Sequence, residues 1–141
     1  MYENILLPTD GSDAMASVLE HAASLASVHD ATLHALYVVN TASLNDLPME
    51  SSWQQLSHAL EQEGTRALED VEQVGEDVEL VTEMREGSPG KEIVQYAKEN
   101  DCDVIVMGTQ GRSGLDRLLL GSVAERVVRS SEVPVLTVRV K

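Results

Sequence analysis

The chain has 141 residues, 43% of them hydrophobic, and 24 Asp and Glu against 10 Lys and Arg give it a formal net charge of −14. That length is the size of one domain, residues 1–141, with enough apolar surface to fold without disulfide or metal staples. The charge argues against DNA or RNA as a partner, because binding a polyanion needs clustered cations, and no run approaches the roughly 18 uninterrupted apolar residues of a membrane span.

The first element is a strand over Tyr2 to Leu7, stopped by Pro8, with Thr9-Asp10-Gly11-Ser12 supplying turn and helix-start residues. From Asp13 to about Val28, Ala14, Val18, Ala22, Leu25 and Ala26 recur at helical spacing. Ala31 to Val39 is a second strand whose continuous apolar end, Leu36-Tyr37-Val38-Val39, suits burial on both faces. Asn40 to Ser52 reads as a loop, and Trp53 through Val74 as a long helix ending near Gly75. Residues 78 to 85 alternate as a third strand nearer a sheet edge. Ser88-Pro89 then starts a helix, Ser88 as its side-chain cap and Pro89 in its first turn. Val104-Ile105-Val106-Met107 is the most hydrophobic run and reads as a central strand stopping at Gly108. Ser122-Val123-Ala124-Glu125 has the form of a capping box opening a helix to about Ser130, and Pro134 to Val140 reads as the last strand.

Strand and helix alternate five times, which implies a doubly wound α/β domain with helices on both faces of a five-stranded parallel sheet. In such sheets ligands sit beyond the carboxyl ends of the strands, where the strand order reverses. The turns after strands one and four are therefore the places to look. Four of the nine glycines lie between positions 108 and 121, and Gly108, Gly111 and Gly121 with Ser122 offer backbone N–H groups to an anion without a Cβ in the way. A helix opening at Ser122 would add a positive dipole end, and Arg112 a positive charge, so phosphate suits both ends of the loop.

Gly108, two residues, Gly111, nine residues, Gly121 and Ser122 form a G-x2-G-x9-G-[S/T] pattern. Together with the opening Ile5-Leu6-Leu7-Pro8-Thr9-Asp10-Gly11-Ser12, the stretch from Gly114 to Val128 and the closing Val133-Pro134-Val135-Leu136, it resembles the universal stress protein family, in the subgroup that binds ATP. The resemblance covers nearly the whole chain and implies strand order 3-2-1-4-5. It implies that Asp10 lies beside the nucleotide with Pro8 and Thr9 on the same edge, and that Val38, or its neighbour Val39, contacts adenine through its backbone. Gly108, Gly111, Gly121, Ser122 and Val123 would surround ribose and phosphates, with Met107 closing the fourth strand and Arg112 beside the phosphates. Gln110 stands where many relatives carry a basic residue or His. The implied activity is regulatory: ATP, with Mg²⁺ held mainly by the phosphates, kept as a signal in stress physiology for a client protein that the sequence does not specify. A slow ATPase and a nucleotide-free dimeric scaffold are the alternatives, and no general base beyond Asp10 suggests itself for the first.

Other features point to bland roles. Gly87-Ser88-Pro89-Gly90-Lys91 lacks the spacing of a phosphate-binding P-loop, and His21, His29, His34 and His58 show no metal-ligand spacing, so each is expected on the surface or as a satisfied strand residue. Asp101 and Asp103 disfavour a thiolate at Cys102. The N-terminus enters a strand without a signal-peptide pattern, so a cytoplasmic protein is expected. Acids spread along the whole chain suggest a surface adapted to high salt. The closing strand over 133–140 is expected at a sheet edge, where it would pair with a second copy in a homodimer.

Overall fold

A computed structural model describes residues 1–40, 50–109 and 114–139; the side chains of 50–53 and 114–121 lie outside that description, as do Gly111 and Arg112 entirely. Its elements in chain order are β1 (Asn4–Pro8), a 3₁₀ turn (Asp13–Met15), α1 (Ala16–His29), β2 (Thr32–Asn40), α2 (Glu50–Val74), β3 (Glu79–Gly87), α3 (Pro89–Glu99), β4 (Val104–Gly108), α4 (Gly114–Ser130) and β5 (Val135–Val138). The strands form one five-stranded sheet in the order β3-β2-β1-β4-β5, and each neighbouring pair is parallel. This is the doubly wound arrangement expected from the alternation of elements.

Alternation along the strands divides the core in two. Ile5 and Leu7 of β1 point into one layer with Val18, Ala22, Leu33, Ala35, Val104 and Val106, while Leu6 points into the other with Leu36, Ile93, Tyr96, Ile105, Met107 and Val127. Helix α1 and Val71 of α2 cover the first layer, and α3 and α4 cover the second. The loops after β1 and β4 therefore leave opposite faces of the sheet.

Several boundaries differ from the sequence reading, each for a local reason. The last strand is Val135–Val138, shorter than 134–140. Helix α2 begins at Glu50 rather than Trp53, since Glu50, Ser51 and Ser52 suit a helical first turn as well as a loop. Ser88 occupies the cap position of α3 but makes no side-chain cap hydrogen bond; its carbonyl accepts from Glu92 N–H at 2.9 Å instead. The largest correction concerns α4, which starts at Gly114, so Ser122 opens nothing and Gly121 and Ser122 lie inside the helix. Leu, Arg and Asp from 115 to 120 contain strong helix formers, and an interior glycine costs only about 1 kcal/mol against alanine, too little to break the run. Glu125, read as the acid of a capping box, pairs with Arg129 one turn on.

Two αβ turns share one construction. Asp30 after α1 and Asp101 after α3 both take left-handed conformations, with φ of 54° and 51°. The next N–H hooks back onto its helix: Ala31 to the Ala26 carbonyl at 2.8 Å, and Cys102 to the Ala97 carbonyl at 2.9 Å. These are the hydrogen bonds of a Schellman-type helix end.

Candidate functional site

The carboxyl ends of β1, β2 and β4 open into a cleft of about 170 Å³ between the two helical layers. Three short stretches build it. Pro8, Thr9 and Asp10 come from the end of β1, Leu36, Tyr37 and Val38 from β2, and Met107 and Gly108 from β4. Met15 closes one side, and Pro89, Ile93 and Val123 close the other. The site thus lies where the strand order turns from β2-β1 to β1-β4, the position at which doubly wound sheets bind ligands.

Backbone geometry explains how the first loop faces the cleft. Thr9 N–H still donates to the Leu36 carbonyl at 2.9 Å, so β1 and β2 stay joined to the cleft's edge. Beyond it the Thr9 hydroxyl accepts from Gly11 N–H at 3.1 Å, and the Asp10 carboxylate accepts from Ser12 N–H at 2.9 Å. These turns bend the chain away over α2. Gly11 has φ +75°, and a Cβ there would lie 3.0 Å from Ala67 Cβ, so both its conformation and its neighbour call for glycine. Asp10 remains exposed while Thr9 is buried. The Ser12 hydroxyl is buried with no hydrogen-bond partner among the described residues, and Ser12 is not part of the described lining.

Mostly apolar walls and a small polar rim give the cleft its chemistry. Leu36, Val38, Ile93, Met107 and Val123 belong to or pack against the α3–α4 core layer and give the cleft an apolar wall of the kind that small-molecule sites present. Asp10 is the one carboxylate among the described residues of the lining. Tyr37 packs its ring beside Gly64 of α2, where a Cβ would approach Tyr37 Cδ1 to 2.6 Å. Burial, with Glu63 and Asp10 nearby, raises the Tyr37 phenol above its ordinary value, which keeps it a neutral hydrogen-bonding group.

Of the residues picked out in the sequence, Pro8, Thr9, Asp10, Val38, Met107, Gly108 and Val123 meet at this cleft. Ser122 is exposed on α4 and is not part of the described lining. Gly121 is placed in α4, while Gly111 and Arg112 lie outside the described residues. Sequence reasoning missed Met15, Leu36, Tyr37, Pro89 and Ile93. Their signal was present but indistinct, because an apolar residue at helix or strand spacing looks the same whether it lines a cleft or fills a core.

Two sites set aside in the sequence behave as expected. His34 is 7% exposed and bonds through both ring nitrogens, to Tyr96 Oη at 2.8 Å and Asn4 Oδ1 at 3.0 Å. Cys102 is buried, and burial, with Asp103 and Asp101 adding to it, pushes its thiol up to about 12. No helix among the described residues is long and apolar enough to cross a membrane.

Comparison with known proteins follows the same outline. The chain is 45% identical over 141 residues to the universal stress protein MJ0531 of Methanocaldococcus jannaschii, covering 99% of this chain and 83% of that one. The solved structure of MJ0577 superposes with a TM-score of 0.88 at 31% identity, covering 100% of this chain and 98% of that one. A universal stress protein crystallised in complex with cAMP superposes with a TM-score of 0.67 at 26% identity, covering 97% and 96%. Residues 1–139 match the universal stress protein family as a whole. Strand order, the cleft at the strand reversal and similarity along the full chain agree, and this protein belongs to the universal stress protein family.

Proposed function

We propose that this chain binds ATP in the cleft between β1 and β4 and holds it as a regulatory signal in stress physiology. The observation that carries the reading is the convergence of three strand ends on one apolar cleft with a polar rim at Asp10, Thr9 and Gly108. The base would lie against Val38, Ile93 and Met107, and the phosphates would run toward Gly108 and the glycine-rich segment that follows it. Asp10 is the one carboxylate in the described lining, so Mg²⁺ would be held mainly by phosphate oxygens. The similar structure solved with cAMP supports a nucleotide as the ligand class. We place the pairing surface of a homodimer on β5, the uncharged edge strand, and a client protein would read the nucleotide-bound form.

Calorimetry on nucleotide-stripped protein tests the reading. Wild type is expected to bind ATP with Mg²⁺, and Val123→Glu, which places a carboxylate on the cleft wall opposite Asp10, is expected to weaken binding about tenfold or more. Circular dichroism confirms that the variant is folded. No binding by wild type, or equal affinity in the folded variant, would leave a scaffold without nucleotide as the better account.

A further inference from the structure

Directly beneath the cleft, the α3–α4 layer holds a polar cluster that the nucleotide reading does not use. His34 sits on β2 two residues before Leu36, and Tyr96 sits on α3 one turn after Ile93; Leu36 and Ile93 both line the cleft. The His34 and Tyr96 rings meet edge-on at 5.6 Å, with Nδ1 and the phenol 2.8 Å apart. Every neighbouring element supplies a polar or charged group. From β1 comes Asn4, whose amide oxygen lies 3.0 Å from Nε2 and whose N–H is held by the Asp103 carboxylate at 2.9 Å. From β3 come Glu83, which pairs with Arg85, and the Arg85 guanidinium itself, 4.8 Å above the Tyr96 ring. From α3, Glu99 holds Arg85 at 2.6 Å and Glu92 lies 3.9 Å from it, while Cys102 shares the layer.

With the Asn4 amide oxygen facing Nε2, the bonding selects the tautomer of the neutral imidazole: Nε2–H donates to Asn4 and the Tyr96 hydroxyl donates to Nδ1. A proton added at Nδ1 forces Tyr96 to turn its hydroxyl hydrogen away and puts a second cation into the layer that already holds Arg85. We propose that the His34–Tyr96 pair makes nucleotide binding pH-dependent, so that acidification loosens α3 from β2 and weakens binding in the cleft above. The inference rests on the cleft being the nucleotide site.

Burial holds the His34 imidazole below its ordinary value of 6.5, with Glu83 opposing that shift. A base with a lowered folded-state value stays neutral in the fold while the unfolded chain takes up a proton. Its contribution is therefore complete above pH 6.5 and declines as the pH falls below it. The coupling runs through packing alone. Ile93 is fixed to Tyr96 by one helical turn and Leu36 to His34 by one pleat, so both cleft walls share the spacing that the pair sets.

The test is calorimetry of ATP with Mg²⁺ in a series of steps from pH 7.5 down to pH 5.5 on wild type, His34→Gln and Tyr96→Phe. Proton uptake by ATP itself is common to all three and cancels between proteins. The wild-type dissociation constant is expected to rise about twofold or more, and by less than about tenfold, at the lower pH beyond the change seen in His34→Gln, because a group held below 6.5 in the fold is only partly protonated at pH 5.5. Tyr96→Phe keeps the ring but removes the donor that favours neutral His34, and it is expected to move the midpoint of the loss to higher pH; it also serves if His34→Gln does not fold. ATP binding with the same pH profile in the folded variants as in wild type would overturn the switch and leave the nucleotide site standing. Failure of wild type to bind ATP at pH 7.5 would overturn the nucleotide reading and the switch with it.

Discussion

The two edges of the sheet solve the same problem by opposite means. Strand β3 runs Glu79–Gly87 and pairs with β2 along that whole length, which leaves a long outer edge. That edge carries charge. Arg85, 19% exposed, gathers Glu83, Glu92 and Glu99 around one guanidinium, and Glu79 and Glu86 are exposed along the same strand. Adding another strand there would require stripping water from these groups. Strand β5 has only Val135–Val138, with no charged residue and with Leu136 38% exposed. Length makes an edge hazardous and charge makes it safe, so the longer edge is the guarded one, and the shorter is where the proposed homodimer would pair.

The largest expected effect lies under the guarded edge. Gly64 lets α2 rest on β2 and β3, because a Cβ there would meet Tyr37 Cδ1 at 2.6 Å and Met84 Cε at 2.7 Å. Gly64→Val is expected to cost about 2–3 kcal/mol by overpacking, read as a lower urea midpoint. A loss under 0.5 kcal/mol, within the ~0.5 kcal/mol range of surface changes, would show that α2 does not bear on the strand pair.

Arg85 comes next. Arg85→Met removes the cation but keeps an apolar stem over Tyr96, and because the pairs are partly exposed the expected cost is about 1 kcal/mol. The carboxylates left behind should also make the variant more prone to association as they are protonated. Light scattering on a titration from pH 7 toward pH 4 checks this, and identical behaviour of variant and wild type would remove charge as the guard of that edge.

The smallest effect on folding is expected at β5. Leu136→Lys should change protomer stability by no more than about 0.5 kcal/mol, while raising the dissociation constant of a β5-paired dimer about tenfold or more through like charges across the pairing. Sedimentation of both proteins measures it. A wild-type particle of 15.3 kDa, or a lysine variant that dimerises equally well, would break the comparison at its open end.

How much of this was legible depended on whether the cause was local. The strands and the turns that border the cleft follow from the runs Ile5-Leu6-Leu7 and Val104-Ile105-Val106-Met107 and from the punctuation at Pro8 and Gly108, all within short windows, whereas the sheet order came with the family resemblance. The start of α4 was misread because Gly121-Ser122 looks like a boundary, whereas the leucines before it carry the helix through. Leu36 suits burial on both faces of its strand, and both it and Ile93 belong to the core, but only the crossing of α3 over β2 makes them cleft walls. His34 was expected on the surface or as a satisfied strand residue, and it is the second; its partners Asn4 and Tyr96 lie far away in sequence, and no spacing rule could have named them.

The two left-handed aspartates have a consequence for the order of events in folding. Each hook, Ala31 onto Ala26 and Cys102 onto Ala97, closes a loop of a few residues, an event on the ~10–100 ns scale of short-loop closure. These hooks aim β2 and β4, the two strands that flank β1, before β1 has met either of them. The long-range pairings of Ile5 with Leu33 and with Val104 then join strands whose direction of return is already set, and the slow search is left with register alone.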